Sequence, residues 1–243
     1  MKLDLHTHTL LSGHAYSTIK ENLEAAKKSG IEGFAVTDHG PAMPSAQQDA
    51  YHIVNMRLAV PEYLEGIRII RGFEANIVDY DGKIDLPTEY TPYVEYIIGS
   101  LHGICIIPRS KKKNTEGVIN AMASGLVDTI GHPDGFGFSL DYPAITEAAK
   151  EYEVALELNN NTLKGRVRGD CKENYLEMLY YAKKNGVYIS VGSDAHFYTG
   201  IGELDLSAEL LKEVGYPEEL IISKNLKQFE KFMKIRKQER TIY

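Results

Sequence analysis

The sequence predicts an α/β protein in which parallel strands and helices alternate around a barrel. Two observations carry this expectation. Short apolar runs rich in β-branched residues recur along the 243 residues, with stretches of helical period between them. Residue types that bind divalent metals stand at the carboxyl ends of those runs, where the loops of a βα barrel gather its active site.

The first run, Leu3-Asp4-Leu5, ends in His6-Thr7-His8. Strand side chains alternate faces, so the two imidazoles point the same way and can reach one metal ion. Thr18-Ile19-Lys20-Glu21 fits a capping box; Ile19, Leu23 and Ala26 mark one helical face, and Gly30 is the expected stop. Gly33-Phe34-Ala35-Val36 then leads to Thr37-Asp38-His39, and Ile67-Arg68-Ile69-Ile70 to Gly72-Phe73-Glu74. Asp81-Gly82, set between short mixed runs over residues 76–86, predicts a hairpin excursion after the third strand. Val94 to Ile98 precedes Gly99-Ser100-Leu101-His102, and Val127 to Ile130 precedes Gly131-His132-Pro133-Asp134. A sixth run over 154–158 is followed by Asn159, Asn160 and Asn161. Tyr175, Met178, Leu179 and Ala182 repeat at helical spacing and stop at Gly186, after which Val187 to Val191 leads to Gly192-Ser193-Asp194-Ala195-His196. Seven strands are therefore expected, near residues 2–6, 33–37, 67–73, 94–100, 127–131, 154–158 and 187–192.

Nine candidate metal ligands result: His6, His8, His14, His39, Glu74, His102, His132, Asp194 and His196. They include seven of the eight histidines, and independent accidents do not place so many at strand ends. The set offers only nitrogen and oxygen, which suits zinc, manganese or iron. Cys105 and Cys171 are far apart in sequence and read as unpaired thiols. His52, midway along a predicted helix, has no partner at motif spacing and reads as a surface or packing residue. Asp38 and Asp134 flank His39 and His132; either carboxylate could orient a ring or give a proton to a leaving group.

Length and the absence of a linker or repeat predict one domain over residues 1–243. No apolar stretch is long enough to span a bilayer and Met1-Lys2-Leu3-Asp4 is not a signal peptide, so a cytoplasmic protein without membrane contact is expected. A formal net charge of −7 argues against extended nucleic-acid binding, which needs a basic surface to displace counterions. The locally basic segment Lys224 to Arg240 places Leu226, Phe229 and Met233 on one face. It is expected to pack on the barrel or on another subunit, which leaves a homo-oligomer open.

His6-Thr7-His8, His14, Thr37-Asp38-His39-Gly40, Glu74, His102, Gly131-His132-Pro133 and Gly192-Ser193-Asp194-Ala195-His196 together resemble the PHP family, named for polymerase and histidinol phosphatase. The resemblance runs from residue 3 to about residue 203 and is closest to the short, stand-alone phosphatase branch. It implies a distorted seven-stranded βα (TIM-like) barrel that holds three divalent ions, zinc foremost, and hydrolyses phosphoesters. It also implies a ligand scheme. His6, His8, Glu74 and Asp194 would hold one ion; Glu74 would bridge to a second, bound by His102 and His132; His14, His39 and His196 would hold a third. Three divalent ions held by only two carboxylates and seven neutral imidazoles keep net positive charge, which attracts a phosphate dianion, and attack by a metal-bound hydroxide would need no protein nucleophile. A small phosphorylated partner is thus expected, with histidinol phosphate or nucleic-acid ends as rival substrates. Two basic segments, Arg109 to Lys113 and Lys164 to Arg168, follow strands on the catalytic side. Arg166 and Arg168 are expected to meet phosphate, because a guanidinium pairs with phosphate oxygens bidentately.

Overall fold

The computed structural model describes the whole chain except residues 166, 167 and 241–243. Seven parallel strands pair in the order β1 (Leu3–Thr7), β2 (Gly33–Val36), β4 (Ile67–Asn76), β5 (Tyr96–Ser100), β6 (Thr129–Ile130), β7 (Ala155–Asn159) and β8 (Ile189–Gly192). The circle closes just past the carboxyl ends of β8 and β1, where Asp194 N–H donates to the His6 carbonyl (2.8 Å) and His8 N–H to that of Ala195 (3.0 Å). This is the expected barrel. It carries one addition: β3 (Tyr63–Leu64), two residues long, pairs antiparallel with the start of β4.

Local signals in the chain set where the helices begin and end. α1 (Ile19–Ser29) opens on Thr18, whose hydroxyl accepts from Glu21 N–H while Glu21 reaches back to Thr18, and closes on Gly30 at φ 69°. α6 (Lys172–Asn185) stops at Gly186, again at φ 69°, and buries Tyr175, Met178, Leu179 and Ala182. A residue with a β-carbon would resist both left-handed turns. The remaining outer helices are α2 (Tyr51–Ala59), α3 (Lys111–Ala123), α4 (Tyr142–Glu151), α5 (Asn160–Leu163) and α7 (Asp205–Glu213). The hairpin excursion is present as well, with Val78 N–H bonded to the Lys83 carbonyl (2.9 Å) and Gly82 at φ 89°.

The carboxyl-terminal helix α8 (Leu226–Arg240) packs on the barrel itself. Phe229, Phe232 and Met233 are buried against Leu3, Ala35, Ile70, Tyr96 and Ala155. Leu3, Tyr96 and Ala155 open their strands, so α8 seals the amino-terminal end, opposite the candidate ligands. Full burial of a Phe side chain such as Phe232 contributes roughly 1.5–3 kcal/mol. Arg236, fully buried, fastens the helix by donating to the carbonyls of Tyr152 (2.7 Å), Val127 (2.8 Å) and Gly125 (3.2 Å) and to Asp128 Oδ1 (3.4 Å). Among the described residues no helix is long and apolar enough to cross a membrane.

Candidate metal centre

All nine predicted ligands meet at the carboxyl-terminal mouth, and Glu74 stands at their centre. The backbone explains the closeness of His39: Gly40 N–H donates to the Glu74 carbonyl (3.0 Å) and Glu74 N–H to that of Asp38 (3.1 Å), so the two side chains lie level. Glu74 Oε2 lies 2.7 Å from His39 Nδ1, 3.3 Å from His6 Nε2 and 3.6 Å from His8 Nε2. Its other oxygen, Oε1, lies 3.1 Å from His132 Nε2 and 3.5 Å from His102 Nε2, and accepts from Ser100 Oγ (2.7 Å). One carboxylate therefore offers an oxygen to each of two histidine groups. Gly131 keeps this arrangement open, because a β-carbon there would collide with the Ser100 hydroxyl.

Nitrogen and oxygen atoms close enough to share an ion fall into three groups: His6, His8 and Asp194; His39, Glu74 and His102; and His8, His39 and His196. His6 and His8 do point the same way, both toward Asp194 Oδ1 (3.7 and 3.1 Å). His14 stands at the outer edge, its ring centroid 4.9 Å from that of His39 and 4.8 Å from that of His196. Outer contacts aim the rings. The Nδ1 atoms of His6, His8, His14, His102 and His196 lie within 2.7–3.0 Å of Glu157 Oε1, Ser12 Oγ, Ser45 Oγ, Asn76 Oδ1 and the Asp194 carbonyl respectively. That leaves Nε2 of each ring free for an inner partner.

The donor set fits divalent cations. His6 Nε2, His39 Nδ1 and Glu74 Oε2 are buried and approach one another without hydrogen-bond alignment, as lone pairs aimed at a common point do. Burial alone would raise Glu74, but the imidazoles of His39, His6 and His102 outweigh it and hold the carboxyl well below the usual range. Asp194 is treated the same way by His6 and His8. Burial, helped by His196 and His39, pushes His8 well below the ordinary histidine value, and burial brings His102 down to about 4 against the pull of Glu74. At neutral pH Glu74 and Asp194 are thus anionic and His8 and His102 neutral, the forms that bind metals. Burial alone would lower His6 and His39, but the neighbouring carboxylates, Glu157 and Glu74 foremost, outweigh it and raise both rings, so a cation binding there would displace their protons.

Asp38 and Asp134 are both buried, with their oxygens committed. Asp38 accepts from Thr9 N–H (2.7 Å), Thr9 Oγ1 (2.7 Å) and Ser12 Oγ (2.6 Å), and Ser12 is the hydroxyl beside His8. Asp134 accepts from Phe136 N–H (2.8 Å) and Thr162 Oγ1 (2.9 Å) and lies 3.5 Å from Arg168 Nη1. Of the two roles the sequence offered them, orientation fits this geometry better than proton donation. Arg168 reaches the centre, its Nη2 3.3 Å from His132 Nε2, whereas Arg166 lies outside the described residues. Lys111 to Lys113 form the first turn of α3, with Lys113 paired to Glu116 (3.2 Å). His52 sits on α2 against Phe73, away from the cluster.

Sequence reasoning missed Glu157. It lies on β7, 1% exposed, and contacts His6 and the backbone of His132. Its alternation within Ala155-Leu156-Glu157-Leu158-Asn159 was the available signal, since an acidic residue between buried leucines needs a partner.

Comparison with known proteins agrees with this geometry. The PHP domain family model matches residues 4–191. A protein named probable phosphatase from Acetivibrio thermocellus is 44% identical over 98% of this chain and 97% of its own, and one from Vibrio vulnificus is 41% identical over 97% and 94%. The crystal structure of histidinol phosphate phosphatase from Lactococcus lactis, complexed with zinc, L-histidinol and phosphate, superposes with a TM-score of 0.61 at 18% identity, covering 89% of this chain and 94% of that one. At that identity the likeness speaks for the fold.

Proposed function

The chain belongs to the PHP domain family, and from that premise we propose that it is a metal-dependent phosphatase acting on small phosphate monoesters. The observation that carries the reading is the Glu74 carboxylate, with one oxygen toward His6, His8 and His39 and the other toward His102 and His132. In this reading His6, His8, Glu74 and Asp194 hold one ion, Glu74, His102 and His132 a second, and His14, His39 and His196 a third. Zinc suits the imidazole-rich donors best, and manganese or iron would be accommodated. When bound, such ions activate water and neutralise phosphate charge during in-line displacement. The side chains around them do the rest. Arg168 binds the phosphate, Asp134 positions Arg168, and Asp38 steadies His8 through Ser12. The curated relatives named probable phosphatases support the reading.

The test is hydrolysis by protein that has been stripped with a chelator and reloaded with zinc or manganese. Reloaded protein should turn over p-nitrophenyl phosphate and leave its bis ester untouched, and stripped protein should hydrolyse neither. Faster cleavage of the diester or of labelled single-stranded DNA would overturn the monoester reading. A panel that includes histidinol phosphate then ranks the natural alcohols.

A further inference from the structure

Of the seven barrel strands, β7 alone leads to none of the nine candidate ligands. We infer that β7 aligns the ligands of its neighbours instead, with Glu157 and Asn159 as positioning residues that couple two of the metal positions. The inference rests on the ligand assignment proposed above. Glu157 and Asn159 are two apart on a strand, so both face the same way. Both are buried. Glu157 Oε1 lies 2.8 Å from His6 Nδ1. A carboxylate only accepts hydrogen bonds, so His6 carries its proton on Nδ1 and turns the bare Nε2 toward Glu74 Oε2 (3.3 Å) and Asp194 Oδ1 (3.7 Å).

The other oxygen serves a different group. Glu157 Oε2 accepts from the backbone N–H of His132 (2.7 Å), and His132 holds a positive φ of 28°, a conformation a histidine keeps only when its surroundings enforce it. Asn159 extends the bracket. Its Oδ1 accepts from Thr162 N–H (3.0 Å), which turns the amide nitrogen toward Asp194 Oδ2 (3.3 Å) and Glu157 Oε2 (3.4 Å). On the neighbouring strand β8, Gly192 leaves the space Glu157 needs, because a β-carbon there would lie 2.9 Å from Glu157 Oε1 and collide with His6. One carboxylate thereby sets the ring of a ligand in the first group and the backbone of a ligand in the second.

The substitution Glu157→Gln isolates this role. Glutamine has one acceptor oxygen and cannot receive both the His6 Nδ1 proton and the His132 N–H. Zinc affinity, measured by competition with a chromophoric chelator, should fall about 10- to 100-fold at two positions together. A variant that titrates like the wild type overturns the inference, while a wild-type protein that binds no zinc overturns the ligand assignment beneath it. Nitrogen-15 histidine spectra of the zinc-loaded wild type decide the matter independently of how the variant folds. A His6 ring protonated at Nδ1 supports the inference, and one protonated at Nε2 overturns it.

Discussion

Arg168→Met removes the guanidinium proposed to bind phosphate. That group lies 3.3 Å from His132 Nε2 and 3.5 Å from Asp134 Oδ2, with its side chain 18% exposed, so it faces the cluster from the solvent side. Two charge-assisted hydrogen bonds to a phosphate at the low end of their range, about 1.5 kcal/mol each, sum to about 3 kcal/mol, or roughly a 150-fold loss in kcat/KM. Arg168→Lys keeps the charge without the fork and should lose about tenfold. Asp134→Asn releases the arginine without deleting it, so its loss should lie between those of the other two variants. The assay is kcat/KM for p-nitrophenyl phosphate, with competitive inhibition by inorganic phosphate and metal content measured on the same samples. Arg168→Met with kcat/KM within about twofold of wild type and an unchanged phosphate inhibition constant would falsify the assignment.

Three further outcomes follow from the same geometry. Wild-type protein should carry close to three ions by elemental analysis, whereas Glu74→Gln should lose most of its metal and at least about 100-fold in activity, because one carboxylate serves two groups; His52→Ala should match the wild type, and equal damage from both would show the ligand assignment to be wrong. Hydrolysis of a chirally labelled phosphate monoester should invert the phosphorus centre, since the Ser12 hydroxyl is held by Asp38 and burial, with Asp85, pushes the Cys105 thiol up to about 11; net retention would reveal a phosphoenzyme. Burial alone would raise Glu95, but bonds from Arg71 and Arg68 outweigh it and hold its carboxyl down at about 2, so its stabilising effect is complete above about pH 4.5 and is lost as pH falls toward 2. Glu95→Gln should accordingly cost about 2 kcal/mol at pH 7, after allowance for its solvent-facing side, and clearly less at pH 3 in urea melts; an equal cost at both would count against the ion pair.

The candidate ligands were legible because most of them follow an apolar run directly, and barrel strands end at one face. Periodicity and spacing gave His6 and His8 their common direction and α1 its two ends. Other features leave no such trace. The two residues of β3 are too few for a pattern, and their pairing with Arg68 and Ile67 depends on a turn at Glu65 and Gly66, both at positive φ. Asp38 and Asp134 were visible as neighbours of histidines, but which atoms a carboxylate meets is decided by segments remote in sequence: Thr9 and Ser12 in one case, Thr162 and Arg168 in the other. Glu157 was hidden for the same reason: His132 follows the adjacent strand β6, but His6 lies on β1, which comes within reach only where the circle closes through β8.

The helix α8 gives the molecule a foundation at the end away from its chemistry. Arg236 ties that helix to the segments entering β6 and β7, and Phe229, Phe232 and Met233 fill the space beneath the strands. The mouth is closed separately, by the backbone bonds of Asp194 to His6 and of His8 to Ala195, so the circle of strands is held at both ends. α8 packs at the end of the strands opposite the candidate ligands, so a destabilising change at the mouth can be offset by better packing under α8, a strand's length away.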